Sequence, residues 1–172
     1  MDGAATRYLE AKRSVDDRAL SRRVRDRLLD ALPDAPRVLE AGCGTGATVP
    51  RLHDWGVTAG SYRGVDRDEG VVSFAREVRP AEMRRAGHDV VETDDGFAAG
   101  DFEVTFEVGD ALVAFGDEGD SGSEGDPGDA GEADLFVASA FADLVPLDAL
   151  VDAFESALAP GGLAYLPITF DG

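Results

Sequence analysis

The chain has 172 residues and a formal net charge of −19, and its length predicts one domain with a hydrophobic core of its own. The excess of carboxylates disfavours binding to the phosphates of nucleic acids or to an anionic membrane surface. Cys43 is the sole cysteine, which excludes an internal disulfide, and His53 and His88 are the sole histidines, which argues against a structural zinc site.

The first predicted element is an amphipathic helix over residues 6–32, either continuous or broken near Ser14. Its apolar side chains recur at nearly helical spacing, and Pro33 ends it. Basic side chains are concentrated on the other face, which fits a solvated surface or, as the alternative, a cap over a ligand. Residues 1–36 are therefore treated as an N-terminal helical cap.

Strands and helices are predicted to alternate after Pro36. Since parallel strands need helical crossovers, this alternation predicts an α/β fold with a doubly wound parallel sheet. One segment, 117–134, holds eight acidic residues and no basic one, and it is expected to be a flexible surface loop. The predicted strands are 37–40, 62–65, 102–108, 135–138 and 163–168, and the predicted helices are 47–55, 69–85, 111–115 and 146–158.

The main functional signal is the run Val-Leu-Glu-Ala-Gly-Cys-Gly-Thr-Gly at residues 38–46. Gly42, Gly44 and Gly46 follow a buried strand and allow a sharp turn with close approach to a ligand, where a Cβ would intrude. Their Gly-x-Gly-x-Gly spacing differs from the Gly-x-Gly-x-x-Gly dinucleotide fingerprint. The run therefore favours an adenosine ligand other than a dinucleotide.

Two carboxylates follow later strands. Asp66 comes twenty residues after Gly46, at a distance where a carboxylate can accept hydrogen bonds from both ribose hydroxyls of an adenosine. Asp110 follows the 102–108 strand and either accepts a hydrogen bond from an exocyclic amine such as adenine N6 or simply caps a helix.

These segments, in this order, resemble the class I S-adenosylmethionine-dependent methyltransferases. The resemblance implies a Rossmann-like core over residues 37–172 with S-adenosylmethionine as cofactor. The family's sheet normally ends in two further strands, so this sheet is expected to lack them, as a fragment or as a short form whose uncovered edge favours self-association. The matching segments are Glu40-Ala41-Gly42-Cys43-Gly44-Thr45-Gly46, Gly64-Val65-Asp66, Gly109-Asp110-Ala111, Asp134-Leu135-Phe136-Val137-Ala138-Ser139 and Leu158-Ala159-Pro160-Gly161-Gly162.

The resemblance also implies roles for single residues in cofactor binding. The glycine loop would pass the methionine part, with Glu40 near its amino group, although Glu40 alternatively anchors the backbone N–H groups of the loop. Cys43 is interpreted as a small buried spacer rather than a nucleophile. Asp66 would hold the ribose, Arg67 would flank the adenine, and Asp110 with Ala111 would meet the adenine edge.

No catalytic residue is assigned from the sequence. A sulfonium methyl group is already activated, so alignment of the acceptor can supply much of the rate. Ser139, Phe141 and Asp143 are expected to rim the pocket at the carboxyl edge of the sheet. Ser139 and Asp143 are the catalytic candidates, and Ser139 is also expected to contact the cofactor. Asp143 is either a general base or part of a helix start. If the N-terminal helix caps the cofactor, then Tyr8, Lys12 or Arg13 would reach its carboxylate.

The predicted function is methyl transfer to an unidentified small-molecule acceptor. The alternatives are an S-adenosylmethionine-binding domain without turnover and a nicotinamide-dependent oxidoreductase, the latter disfavoured by the glycine spacing. No secretion signal or apolar stretch of membrane-spanning length is recognised, so a cytoplasmic location is expected. The acidic, lysine-poor composition resembles that of proteins from salt-in halophiles.

Overall fold

The computed structural model of the chain describes residues 10–11, 20–116, 131–139 and 141–167. Within these ranges, no helix has the length and apolar character needed to cross a membrane. The helices are α1 Arg22–Ala31, α2 Thr48–Asp54, α3 Glu69–Arg85, α4 Ala111–Phe115 and α5 Leu147–Ala157. The strands are β1 Arg37–Ala41, β2 Ala59–Asp66, β3 Val90–Glu92, β4 Gly96–Ala99, β5 Asp101–Val108, β6 Ala133–Val137 and β7 Leu158–Tyr165.

The strands of the described residues form one sheet in the order β3-β4-β5-β2-β1-β6-β7. The five strands β5-β2-β1-β6-β7 run parallel. The central strand β1 is buried along almost its whole length, as expected for a strand with both neighbours and both faces covered. This confirms the predicted α/β, Rossmann-like doubly wound sheet.

The hydrophobic core lies in two layers on opposite faces of this sheet. Val38 and Leu39 are neighbours in β1, point to opposite faces, and belong to different core clusters. One cluster contains apolar residues of α1, α2 and α3, and the other contains those of α4 and α5. Helices thus cover both faces of the sheet.

The strands β3 and β4 were not predicted, and they make the sheet mixed rather than wholly parallel. They extend the β5 edge in antiparallel fashion. Strands of three and four residues are too short to show a periodic pattern in the sequence. Strand β4 takes its hydrogen bonds from β5, and β3 in turn takes its own from β4. Phe97 and Ala99 of β4 are buried, so the extension also covers the core beside α3.

Three element boundaries in the structure differ from those predicted from the sequence. The predicted helix over 6–32 is interrupted before α1, because the Ser21 hydroxyl accepts a hydrogen bond from the Val24 N–H and caps a new helix. Strand β6 begins at Ala133, so the predicted 117–134 loop ends earlier, while residues 117–130 lie outside the described part. Strand β7 begins at Leu158 rather than 163, with a register irregularity across Pro160-Gly161-Gly162.

Candidate functional site

The sequence-predicted site residues meet along the carboxyl edge of the parallel strands. Ala41 pairs with Val65 across β1 and β2, and the next residues, Gly42 and Asp66, are therefore adjacent at the edge. Asp66 in turn pairs with Val108, two residues before Asp110. On the other side of β1, Glu40 pairs with Val137, two residues before Ser139. The order along the edge is Ser139, Gly42, Asp66, Asp110.

The strand order changes direction between β1 and β6. The chain continues from β1 to β2 and β5 on one side and returns to β6 and β7 on the other. The connections that leave β1 and β6 therefore run in opposite directions, and this topological switch point is the usual ligand position in such sheets. Phe141 lies here, and a Cβ on Gly42 would overlap its ring. The Ser139 hydroxyl oxygen is buried without a hydrogen-bond partner among the described residues.

The glycine loop needs its glycines for different reasons. All three have positive φ, of 69° at Gly42, 51° at Gly44 and 71° at Gly46. A Cβ on Gly46 would come within 2.6 Å of the Phe106 ring, whereas a Cβ on Gly44 would meet no atom within 4 Å. The sequence interpretation treated the three alike, but in the structure Gly42 and Gly46 face aromatic rings. Gly44 presents the open face of the loop.

Asp66 holds this loop in place. Its Oδ2 accepts a hydrogen bond from the Gly44 N–H at 2.9 Å, and its Oδ1 accepts one from the Asp68 N–H at 2.9 Å. Each carboxylate oxygen can accept a further hydrogen bond, so these contacts are compatible with binding two hydroxyls of a ligand. The loop-anchoring role considered for Glu40 is carried by Asp66.

Glu40 lies beneath the loop and is 2% exposed. The Thr48 hydroxyl donates to its Oε1 at 2.8 Å, and the Tyr62 hydroxyl donates to its Oε2. Burial raises the pKa of Glu40 to about 7, even though both hydrogen bonds act to lower it. Glu40 thus joins β1, β2 and α2 through hydroxyl groups. The sequence interpretation missed Thr48 and Tyr62, because hydroxyl partners in other elements leave no local pattern.

In the structure Cys43 is a small buried residue and Asp110 is a helix N-cap, each of which is one of the roles considered from the sequence. Burial raises the pKa of the Cys43 thiol well above its ordinary range, with the charges of Glu40 and Asp66 adding to the effect, so the side chain is a poor nucleophile. Asp110 caps α4 by accepting a hydrogen bond from the Leu112 N–H at 3.0 Å.

Arg67 and Asp110 form an ion pair at the open end of the site. Burial acts to raise the pKa of Asp110, but hydrogen bonds from Arg67 and from the Leu112 N–H together lower it. The Arg67 side chain is 71% exposed, so it can move towards a flat ligand without loss of packing. Ala111 is buried against the α4–α5 side of the core.

Asp143 is exposed in the turn that follows Phe141. Pro146 occupies the N-cap position of α5, so Asp143 does not cap that helix. The structure therefore corrects the idea that Asp143 starts the helix. Phe141 packs against the core cluster of the α4–α5 face and touches Gly42, which makes it both core and pocket wall.

Arg79 is a site-associated residue that the sequence interpretation missed. It lies in the middle of α3, where a charged side chain usually indicates a solvated face, yet it is 1% exposed. Its Nε donates to the Thr45 carbonyl of the glycine loop at 2.7 Å. Nothing in the local pattern distinguishes Arg79 from the exposed arginines of the same helix.

The sequence matches no protein-family model and no curated protein sequence. Solved structures do match. A geranyl diphosphate methyltransferase in complex with S-adenosylmethionine has a TM-score of 0.56 and 18% identity, over 92% of this chain and 53% of that one. A TehB-like S-adenosylmethionine-dependent methyltransferase from Corynebacterium glutamicum has a TM-score of 0.53 and 20% identity, over 95% and 72%.

The cyclase SpnF also matches, with a TM-score of 0.53 and 19% identity over 84% of this chain and 43% of that one. The chain spans about half the length of several of the structures that it matches. Because fewer than a quarter of the aligned residues are identical, these matches show a common fold. The described part of the chain has the Rossmann-like fold of the class I S-adenosylmethionine-dependent methyltransferases.

Proposed function

We propose that the chain binds S-adenosylmethionine at the carboxyl edge of its sheet and serves the transfer of the methyl group to a small-molecule acceptor. The observation that carries the proposal is the alignment, on adjacent strand ends, of the glycine loop, Asp66 and Asp110 beside the topological switch point between β1 and β6. A nucleoside bound across these strand ends would meet an acidic group at each position where it offers hydrogen-bond donors.

The residues fit this cofactor. A Cβ on Gly44 would meet no atom within 4 Å, which supports placing the methionine part beside it. The buried Ser139 hydroxyl, without a hydrogen-bond partner among the described residues, would offer the ligand a polar partner. Asp66 would accept hydrogen bonds from the ribose hydroxyls, and Asp110 would meet the adenine edge with Arg67 beside the ring. When bound, the cofactor supplies a methyl group on a sulfonium, whose displacement depends mainly on alignment of the acceptor.

The acceptor side would be formed by Phe141 and by the groups around it. Phe141 stands against Gly42 and would exclude water from one wall of the pocket. Asp143 is exposed and would be free to accept a proton from a hydroxyl or amine acceptor. The geranyl diphosphate methyltransferases among the matching structures support an acceptor of low molecular weight, as does the acidic surface, which disfavours nucleic acid.

A cofactor-binding protein without methyl transfer is the second candidate. It is favoured by the similarity to SpnF, which is named a cyclase, because one fold can host different chemistry. Isotope-labelled S-adenosylmethionine incubated with the protein and a metabolite extract distinguishes the two. Transfer of label to a metabolite supports the methyltransferase, whereas binding with no transfer supports the second candidate.

Binding itself is tested by calorimetric titration with S-adenosylhomocysteine, S-adenosylmethionine and NAD in 2 M KCl. Asp66→Asn is expected to raise the Kd for S-adenosylhomocysteine at least about tenfold, or about 1.4 kcal/mol, because an amide accepts fewer hydrogen bonds. Asp68→Asn is the matched control, since Asp68 caps α3 and Asn is an equally good cap. Binding of NAD alone would contradict the proposal.

A further inference from the structure

Arg79 is a buried cation behind the glycine loop, and its surroundings connect that loop to the N-terminal segment. Its three nitrogens each have a partner in a different part of the chain. Nε donates to the Thr45 carbonyl at 2.7 Å, Nη1 pairs with Glu82 of α3, and Nη2 pairs with Glu10, which lies with Ala11 in a helical conformation before α1.

The guanidinium cannot exchange these partners for water. It is 1% exposed, whereas the carboxylates of Glu10 and Glu82 are each 30% exposed. A buried cation that loses a partner keeps the cost of desolvation without the compensating attraction, so the arrangement favours all three contacts at once. The planar, rigid fork of Arg also fixes the directions in which the three partners lie.

One of these partners belongs to the candidate cofactor site. Thr45 stands between Gly44, whose open face points away from the core, and Gly46, which is packed against Phe106. The hydrogen bond to its carbonyl fixes the orientation of the Thr45–Gly46 peptide and so the end of the loop. Arg76, on the same helix, bonds the Phe106 carbonyl of β5 instead and has no contact of this kind with the loop.

We propose that Arg79 is a positioning residue for the glycine loop and that Glu10 completes it, so that the Glu10–Arg79 ion pair and binding of the S-adenosyl ligand reinforce each other. Coupling of this kind is reciprocal: an ion pair that holds the loop in its binding form raises ligand affinity, and the ligand favours that ion pair by the same factor. This inference rests on the proposed function.

Glu10→Gln and Glu82→Gln form a matched pair for the test. Both remove one carboxylate from a terminal nitrogen of Arg79 at equal exposure. Glu82 lies three residues from Arg79 on the same helix, so a Gln amide oxygen stays beside the guanidinium there, whereas Glu10 is held against Arg79 from outside that helix by the ion pair. In 2 M KCl, Glu10→Gln is expected to raise the Kd for S-adenosylhomocysteine about fivefold or more, and Glu82→Gln less than about twofold. Arg79→Lys should weaken binding at least as much as Glu10→Gln, because an ammonium lacks the fork.

A second measurement is independent of the ligand. Hydrogen exchange of the peptide that contains residues 42–46, without ligand, should be faster in Glu10→Gln than in Glu82→Gln or the wild type. Equal Kd values for the two Gln variants, or unchanged loop exchange in Glu10→Gln, would overturn the inference. If the wild type binds neither S-adenosyl compound, the proposed function fails, while the exchange comparison still decides whether Arg79 and Glu10 position the loop.

Discussion

The pKa of Glu40 in the folded protein differs from that of an exposed carboxyl group because the side chain is buried. Its neighbours are hydroxyls, and burial raises its pKa from 4.5 to about 7. Because the folded pKa lies above the unfolded one, the native state binds more protons between these values. The stabilising contribution of the protonated form is fully present below pH 4.5 and is lost as the pH rises through 7.

We therefore expect Glu40→Gln to be more stable than the wild type at pH 8, by up to about 3 kcal/mol, and equally stable near pH 4, because Gln stays neutral and can still bond both hydroxyls. Urea unfolding at several pH values in 2 M KCl measures the difference. Glu103→Gln, at an exposed position of β5, is the control and should follow the wild type. Parallel pH profiles for Glu40→Gln and the wild type would contradict the assigned environment.

At the scale of elements, the unit of β1, glycine loop and α2 is held by contacts with three other elements. Val65 of β2 accepts hydrogen bonds from the Gly42 and Cys43 N–H groups at 2.9 and 3.2 Å. Phe106 of β5 covers Gly46, and Arg79 of α3 bonds Thr45. The loop is thus built into the core on one side and open at Gly44 on the other.

Alanine substitutions at Gly44 and Gly46 separate backbone strain from packing. Both residues have positive φ, which costs a residue with a Cβ about 1–2 kcal/mol. Only at Gly46 does the new methyl group also collide with the Phe106 ring, so Gly46→Ala should lower the free energy of unfolding by about 3 kcal/mol and Gly44→Ala by about 1 kcal/mol. Denaturant unfolding measures both, and equal losses would show that the loop can move away from Phe106.

The elements also differ in how far the sequence predicts them. The bounds of α3 were predicted correctly, since Asp68 is an N-cap residue and the helix is long enough for its pattern to be read. The short strands β3 and β4 are not predicted from the sequence, because pairing of β4 with β5 and of β3 with β4 stabilises them rather than any preference of their own residues. The predicted start of β7 at residue 163 is five residues too late, because Pro160-Gly161-Gly162 is a typical turn sequence. In the structure these residues lie within the strand, which begins at Leu158.

For the whole molecule, the net charge of −19 sets the dependence on salt. Repulsion among carboxylates destabilises the compact state, and the screening length falls from about 10 Å at 0.1 M to about 3 Å at 1 M salt. We expect Tm to rise by about 10 °C between 0.1 and 2 M KCl, which corresponds to about 3 kcal/mol for a chain of this size.

Differential scanning fluorimetry across a KCl series measures this dependence. A protein of similar length and near-zero net charge, examined in parallel, corrects for the general stabilisation of folded proteins by concentrated salt. A Tm that does not change with KCl after this correction would show that the carboxylates are spaced widely enough for their repulsion to be negligible.

The sequence by itself determined the order of the helices and of the five parallel strands, the glycine loop after β1, and the carboxylates at or just after the ends of β2 and β5, because these features depend on local patterns and on residue types at strand ends. The tertiary structure alone decided which groups meet: the Asp66 contact with Gly44, the pairing of Glu40 with Thr48 and Tyr62, the Phe141 ring over Gly42, and the burial of Arg79 between Thr45, Glu82 and Glu10. Such contacts join residues far apart in the chain, and burial, which sets their charge state and strength, arises only when the elements pack together.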